Sequence, residues 1–378
     1  MNRIRRLAAI LLSPPPELEE TGAVLEAAGV PVSFADCRSC PNPCEEGHEE
    51  YPQKIMSMID TTSDMLGSVK PYRRQVVIST GKSDWERSVT DVADSLAAHL
   101  LTVEESSATC SSLTPGTSTP GTPESTLHEL DSTAVTGIFK DSETRKVSIL
   151  NGSHDTLSVR SDIETALVFP DYKVVTEVPR SLEGARALWE NSVDPSVSRV
   201  GSSSRSQVKS WVIPYSCVIL ICSHRRRDSL SYPSPALCRN ADSYALPALR
   251  PPAFSEALQR EDWEVHTQLE NPTGPSLEEF NESEEEKEAE MHRRLQELDD
   301  DLPKKALVLK TSHIGGHKYA GNVIIYIPQG AGVWYGRVST HAVNSIVQNT
   351  ILGGRILPPL LRGGVNLSRP DCKRLNDW

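Results

Sequence analysis

No stretch of the chain approaches the roughly 20 consecutive apolar residues that a bilayer-spanning helix needs, so no membrane span is expected. A basic surplus is missing as well. Lys and Arg number 39 against 51 Asp and Glu, and the formal net charge of −12 argues against nucleic acid or an anionic membrane as a general partner. A secretory signal is lacking, so the eight cysteines read as metal or redox sites rather than as a disulfide framework. Acidic residues are absent before Glu17, where Arg3, Arg5 and Arg6 sit among Ile, Leu and Ala. Residues 1–16 therefore have the makeup of a mitochondrial presequence, the alternative being a plain N-terminus on a cytoplasmic protein.

What is present centres on residues 310–322, Lys-Thr-Ser-His-Ile-Gly-Gly-His-Lys-Tyr-Ala-Gly-Asn, flanked by strand-like 306–309 and 323–327. His313 and His317 stand at a helical spacing, but the adjacent Gly315 and Gly316 would each cost a helix about 1 kcal/mol relative to alanine. A tight loop between strands is the better expectation, its glycines free to take unusual dihedrals. Two neutral imidazoles converging there are what a metal ion needs. Upstream, 218–221 reads as a buried strand running into Cys222, and the basic run Arg225–Arg227 behind it favours a thiolate. Cys217, five residues back, falls on the opposite strand face and reads as a small buried hydrophobe.

A second cysteine group opens the chain: Cys37, Cys40 and Cys44, with His48 four residues on. That density suits a zinc site, a cluster half-site or a redox-active Cys37/Cys40 pair, and inert loop cysteines are the competing reading. At 75–83 a strand runs into Gly81-Lys82-Ser83, but a phosphate loop needs a glycine where Val76 stands. Ser83 or Asp84 is instead expected to cap a helix running toward Leu101.

The pattern predicts an α/β (α+β) protein of two domains. Residues 17–193 form an N-terminal α/β domain with a disordered Ser/Thr/Pro-rich insertion at about 104–132, which holds Cys110; 194–207 form a linker; 208–370 form the second domain. In the first domain 147–150, 165–169 and 174–178 read as extended, and Ser181 caps a short helix. In the second, 263–269 alternates like a strand with His266 in a structural role, and 277–301 reads as a solvated acidic insertion laced by helical ion pairs. A hairpin of 323–327 and 333–338 precedes a helix at 342–352 with Thr340 as its cap.

The Cys222-Ser-His-x-x-Arg-Asp228 run, the His313–Asn322 string and Gly332-Val-Trp-Tyr-Gly-Arg-Val338 resemble the fungal sucrase/ferredoxin-like proteins, and the similarity covers most of the chain from about 34 to 369. The resemblance implies a thioredoxin-like ferredoxin as the C-terminal domain, a 2Fe–2S cluster held by two Cys and two His, and mitochondrial redox homeostasis. Carried over by motif, Cys222, His313 and His317 are three ligands. The family's second cysteine follows shortly after the Arg-Asp pair; here 229–240 reads as an insertion, and Cys238 is the best surviving candidate. The expected function is electron transfer to redox partner proteins rather than conversion of a substrate. The alternative is a thiol–disulfide oxidoreductase or zinc-stabilised interaction module built on Cys37, Cys40 and Cys44.

Overall fold

The structure, a computed structural model, describes residues 16–35, 59–60, 62–111, 135–201, 208–223, 251–280, 283–300 and 302–378. In chain order, α1 (Pro16–Ala27) is followed by β1 (Arg74–Ser79), α2 (Leu96–Ser111), β2 (Ile138–Phe139), β3 (Val147–Gly152), β4 (Ile163–Phe169), β5 (Lys173–Pro179) and α3 (Leu182–Leu188). Then come β6 (Lys209–Val212), β7 (Cys217–Cys222), α4 (Pro251–Gln259), β8 (Glu264–His266), α5 (Glu284–Asp300) and β9 (Lys305–Thr311). The chain closes with β10 (Val323–Tyr326), β11 (Gly332–Tyr335), α6 (Thr340–Ile346) and β12 (Leu361–Val365). The mixed α/β class is as expected.

One topology occurs twice. In the first half β1 and β3 are parallel and joined through α2; β4 then runs antiparallel to β1, pairs with β5, and α3 follows. In the second half β7 and β9 are parallel and joined through α4; β10 runs antiparallel to β7, pairs with β11, and α6 follows. Strand order β5-β4-β1-β3 in one half thus repeats as β11-β10-β7-β9 in the other, a thioredoxin-like arrangement. The halves meet where β3 and β9 touch at a single antiparallel pair, Gly152 and Thr311. Around that pair the hydrogen bonds are reciprocal. Ser153 N–H donates to the Lys310 carbonyl at 3.0 Å and Ser312 N–H to the Asn151 carbonyl at 2.9 Å. Each serine hydroxyl also accepts across the seam, from Lys310 N–H at 3.1 Å and Asn151 N–H at 3.0 Å. The strands of the two halves belong to one sheet, in which β6 pairs with β5 and β2 pairs with β12.

Alternation along the strands assigns each face its core. Cys217, Ile219 and Ile221 of β7 pack with Phe254, Ala257 and Leu258 of α4 and with Val343 and Ile346 of α6. Val218 and Leu220 point the other way, into a core shared with Val77, Leu150 and the α5 residues Met291, Leu295 and Leu298. Full burial of a side chain such as Leu295 is worth roughly 1.5–3 kcal/mol, which fastens α5 to the sheet. The acidic insertion is therefore not simply solvated. Its outer face carries the expected ion pairs, Arg293 with Glu290 at 2.8 Å and with Glu297, and Arg294 with Glu290 at 2.8 Å, while the apolar stripe of Met291, Leu295 and Leu298 is buried beneath.

Three further expectations change. The first-half helix begins at Leu96, not near Ser83, and Ser95 caps it by accepting from Ala98 N–H at 3.1 Å. It runs to Ser111, so residues 104–111 of the expected insertion, Cys110 included, are helical. Ser339, rather than Thr340, holds the N-cap position of α6. Ser181 does cap α3, accepting from Gly184 N–H at 3.1 Å.

Candidate metal centre

Cys222 ends β7 with its backbone held on both sides. Its Cα is in register with Thr311 of β9, and its N–H donates to the Asn322 carbonyl at 3.1 Å. Ser223 N–H then donates to the Thr311 carbonyl at 3.0 Å. Thr311 and Asn322 are the two ends of the histidine loop, so the sheet register sets the half-buried Cys222 at the loop's mouth. This is the carboxyl end of parallel strands, where open α/β sheets place their ligand sites.

The loop has the predicted irregular form. Gly315 and Gly316 both take left-handed backbone angles, φ +78° and +70°, and a single 3₁₀ turn follows over His317–Tyr319. A left-handed pair brings the fourth-neighbour imidazoles back together without a helix. The rings of His313 and His317 stack with centroids 3.9 Å apart and planes 11° from parallel. His313 is half-buried with Nδ1 shut off from solvent, whereas His317 is exposed.

A residue that the sequence reading passed over braces this corner. Arg362 of β12 is 1% exposed. Its Nη1 donates to Asn322 Oδ1 at 2.8 Å and to the Gly315 carbonyl at 3.3 Å, and its Nε donates to Ser68 Oγ at 3.1 Å. Asn322 Nδ2 in turn donates to the Gly316 carbonyl at 3.1 Å. The guanidinium lies against the rings of Tyr319 and Trp334, 5.7 and 5.9 Å from their centroids. Burial lowers the Arg362 pKa, and the negative charge available to Cys222 acts in the opposite sense.

The outer side of the loop is held by residues 60–64. Tyr319 OH donates to the Asp64 carbonyl at 2.8 Å, and Lys318 Nζ lies 3.3 Å from Asp60. Hydrogen bonds from the Ser63 side chain and from the Ser63 and Thr62 backbones hold the Asp60 carboxyl well below the usual carboxylate range. Lys318 is thus paired with an ionised carboxylate, and Arg225–Arg227, expected to favour the thiolate, lie outside the described residues.

Cys217 faces the opposite core, and burial pushes its thiol up to about 12, so it is a hydrophobe rather than a ligand. Cys238, Cys37, Cys40, Cys44 and His48 lie outside the described residues. The Gly81-Lys82-Ser83 loop is spoken for internally. Thr80 and Gly81 N–H groups donate to the His154 carbonyl at 3.1 and 3.0 Å, and the Ser83 carbonyl accepts from Ser223 Oγ at 3.1 Å. A phosphate cradle needs such amides free. His266 is gripped by Glu264 at 2.8 Å, by Tyr215 OH at 3.2 Å and by Glu270 at 3.4 Å, and Lys305 sits 2.9 Å from Glu270. That neighbouring cation favours the structural role expected of His266 over metal binding.

The family model of the sucrase/ferredoxin-like proteins matches residues 65–232 and 264–363, well over half of the chain. The chain belongs to the sucrase/ferredoxin-like family. Both histidines, Cys222 and Arg362 fall within the matched residues, whereas Cys238 falls in the unmatched interval. Among curated proteins the chain is similar to Altered inheritance of mitochondria protein 32 of Clavispora lusitaniae, 56% identical over 52 residues, which are 14% of this chain and 19% of that protein. The protein of the same name from Debaryomyces hansenii is 53% identical over 57 residues, 14% of this chain and 20% of that one. That of Saccharomyces cerevisiae is 35% identical over 75 residues, 18% and 24%. The chain thus spans about a fifth to a quarter of the length of these curated relatives. No solved structure matches this sucrase/ferredoxin-like chain.

Proposed function

We propose that this sucrase/ferredoxin-like chain is an electron carrier that holds a 2Fe–2S cluster through Cys222, His313, His317 and a second cysteine, with Cys238 the candidate. The observation that carries the reading is the pair of stacked imidazoles at a strand-end corner whose register also delivers Cys222. The donor set fits the group: a thiolate for one iron and neutral imidazoles for the other, in a site half-closed to water. Bound there, such a cluster supplies one-electron chemistry at a potential raised by replacing thiolates with neutral rings.

The chain's own residues do the rest. Gly315 and Gly316 turn the backbone so that both rings present to one side, and Asn322 ties that turn to β10. The half-buried His313 shields the site from water, and the exposed His317 offers the edge at which a redox partner protein can approach. The names of the curated relatives support a mitochondrial setting for this activity. No helix among the described residues is long and apolar enough to cross a membrane.

The test is anaerobic purification followed by visible absorption and iron and sulfide analysis. A coloured protein with both elements is expected, with colour lost or shifted by substitution of His313 and unaffected by substitution of Cys40. A colourless protein containing only zinc would overturn the reading.

A further inference from the structure

Two guanidinium groups are fully buried in the described structure, those of Arg74 and Arg362. Burying a cation costs several kcal/mol unless an anion and hydrogen bonds compensate it. Arg74 follows that rule, with Asp171 at 2.7 Å and carbonyl oxygens filling its remaining donors. Arg362 does not. Among the described residues no carboxylate forms an ion pair with it, and its hydrogen-bond acceptors are a hydroxyl, an amide oxygen and a backbone carbonyl, all neutral. The Tyr319 and Trp334 rings add favourable faces, worth roughly 0.5–2 kcal/mol as cation–π contacts, which is less than a missing counter-ion costs. The corner it braces is the one that holds the candidate ligands: Asn322, whose side chain accepts from Arg362, also accepts from Cys222 N–H through its carbonyl at 3.1 Å, and the Gly315 carbonyl that Arg362 reaches lies between His313 and His317.

We infer that Arg362 is a positioning residue whose buried, unpaired charge faces this corner and so sets the potential at which the site takes up an electron. The inference rests on the electron-carrier reading above. A 2Fe–2S cluster with two thiolate and two neutral imidazole ligands is formally neutral when oxidised and singly negative when reduced. One electron from a one-electron donor turns one ferric ion into ferrous and makes or breaks no bond in the chain. The negative charge gained lies beside a cation sealed from water, where screening is weak, so the reduced form is favoured. Gly316 belongs to the same device. A Cβ built there would lie 2.5 Å from Arg362 Nη2, so only glycine lets the loop close over the guanidinium.

The experiment compares the full-length protein with Arg362→Met, Arg362→Lys and Ser68→Ala. Ser68 is exposed and touches only the outer side of the guanidinium, so its loss removes a hydrogen bond and leaves the charge. In cluster-loaded protein the midpoint potential is expected to fall in Arg362→Met and to stay near wild type in Arg362→Lys and Ser68→Ala. In metal-free protein at neutral pH, alkylation of Cys222 by iodoacetamide, followed by peptide mapping, is expected to slow in Arg362→Met. Removing a nearby cation lowers the thiolate fraction, and the higher intrinsic reactivity of a more basic thiolate offsets only part of that loss, so a several-fold slowing is expected. If Arg362→Met does not fold, Arg362→Gln, which keeps a donor for Asn322, carries the same comparison. Wild-type protein that holds no iron or sulfide sinks the electron-carrier reading, while the alkylation rates still decide for or against the action of the buried charge. Equal potentials and equal alkylation rates in wild type and Arg362→Met overturn the inference, as does a shift in Ser68→Ala as large as that in Arg362→Met.

Discussion

Gly315 and Gly316 offer a paired test of how the loop is held. Both take left-handed angles, so alanine at either pays the ordinary penalty for that conformation, roughly 1–2 kcal/mol. Their surroundings differ. A Cβ at Gly315 meets nothing within 4 Å, whereas one at Gly316 lands 2.5 Å from Nη2 and 2.6 Å from Cζ of the buried Arg362. Arg362 cannot yield freely, because moving it breaks its bonds to Asn322 Oδ1 and the Gly315 carbonyl. Hydrogen bonds to charged groups are worth about 1.5–3 kcal/mol each, so losing even one puts Gly316→Ala at about 3–5 kcal/mol and Gly315→Ala at about 1–2. Urea unfolding of metal-free protein measures both, and iron retention after anaerobic gel filtration reads the consequence for the site. Equal losses for the two variants, or a neutral Gly316→Ala, would refute the claim that Arg362 fastens the loop.

Other outcomes follow from burial and charge. His154 is fully buried with neither ring nitrogen hydrogen-bonded, and desolvation lowers its pKa to about 4. The unfolded chain, titrating near 6.5, then binds the proton more readily than the folded one, so this contribution to stability is complete above about pH 6.5 and is lost as pH falls toward 4, by up to about 3 kcal/mol. Denaturant melts at pH 7.5 and 5 should show that loss in wild type and a smaller one in His154→Leu; identical slopes would contradict it. Asp171→Ala strands the fully buried Arg74 and should cost about 3–5 kcal/mol, read as a lowered urea midpoint. Lys318→Ala, at a solvent-screened pair with Asp60, should leave the urea midpoint close to wild type in the same assay. Gly184→Ala should lower the melting temperature, because its Cβ would sit 2.0 Å from the Pro179 carbonyl oxygen.

Much of the second half was legible because its signals are local. Adjacent glycines between two strands forced a loop at 310–322, and the parity of β7 separated Cys217 from Cys222. Arg362 was not legible, since its partners Ser68, Gly315 and Asn322 are at least 40 residues away and no spacing marks them. The helix expected from Ser83 failed for a related reason: the Ser83 carbonyl is engaged by Ser223, 140 residues on, and the true cap lies at Ser95. In the acidic segment the apolar spacing of Met291, Leu295 and Leu298 was there to be read, but the density of charge masked it.

The doubled topology adds something that composition did not show. Ser79 ends β1 as Cys222 ends β7, and His154 follows Gly152 by two residues as His313 follows Thr311. The first half thus carries a histidine at the equivalent place but a serine where the second half has its thiol. The buried His154 explains itself as a residue whose position is dictated by the shared frame rather than by a bond that it makes.

The central claim is that two imidazoles and Cys222 grip one redox centre. Pulsed electron paramagnetic resonance on the reduced protein, prepared with ¹⁵N-labelled histidine, tests it most directly. Two coupled histidine nitrogens are predicted, one of them lost in His317→Ala and none in His266→Ala. A reduced centre with no histidine nitrogen coupled to it would contradict the account.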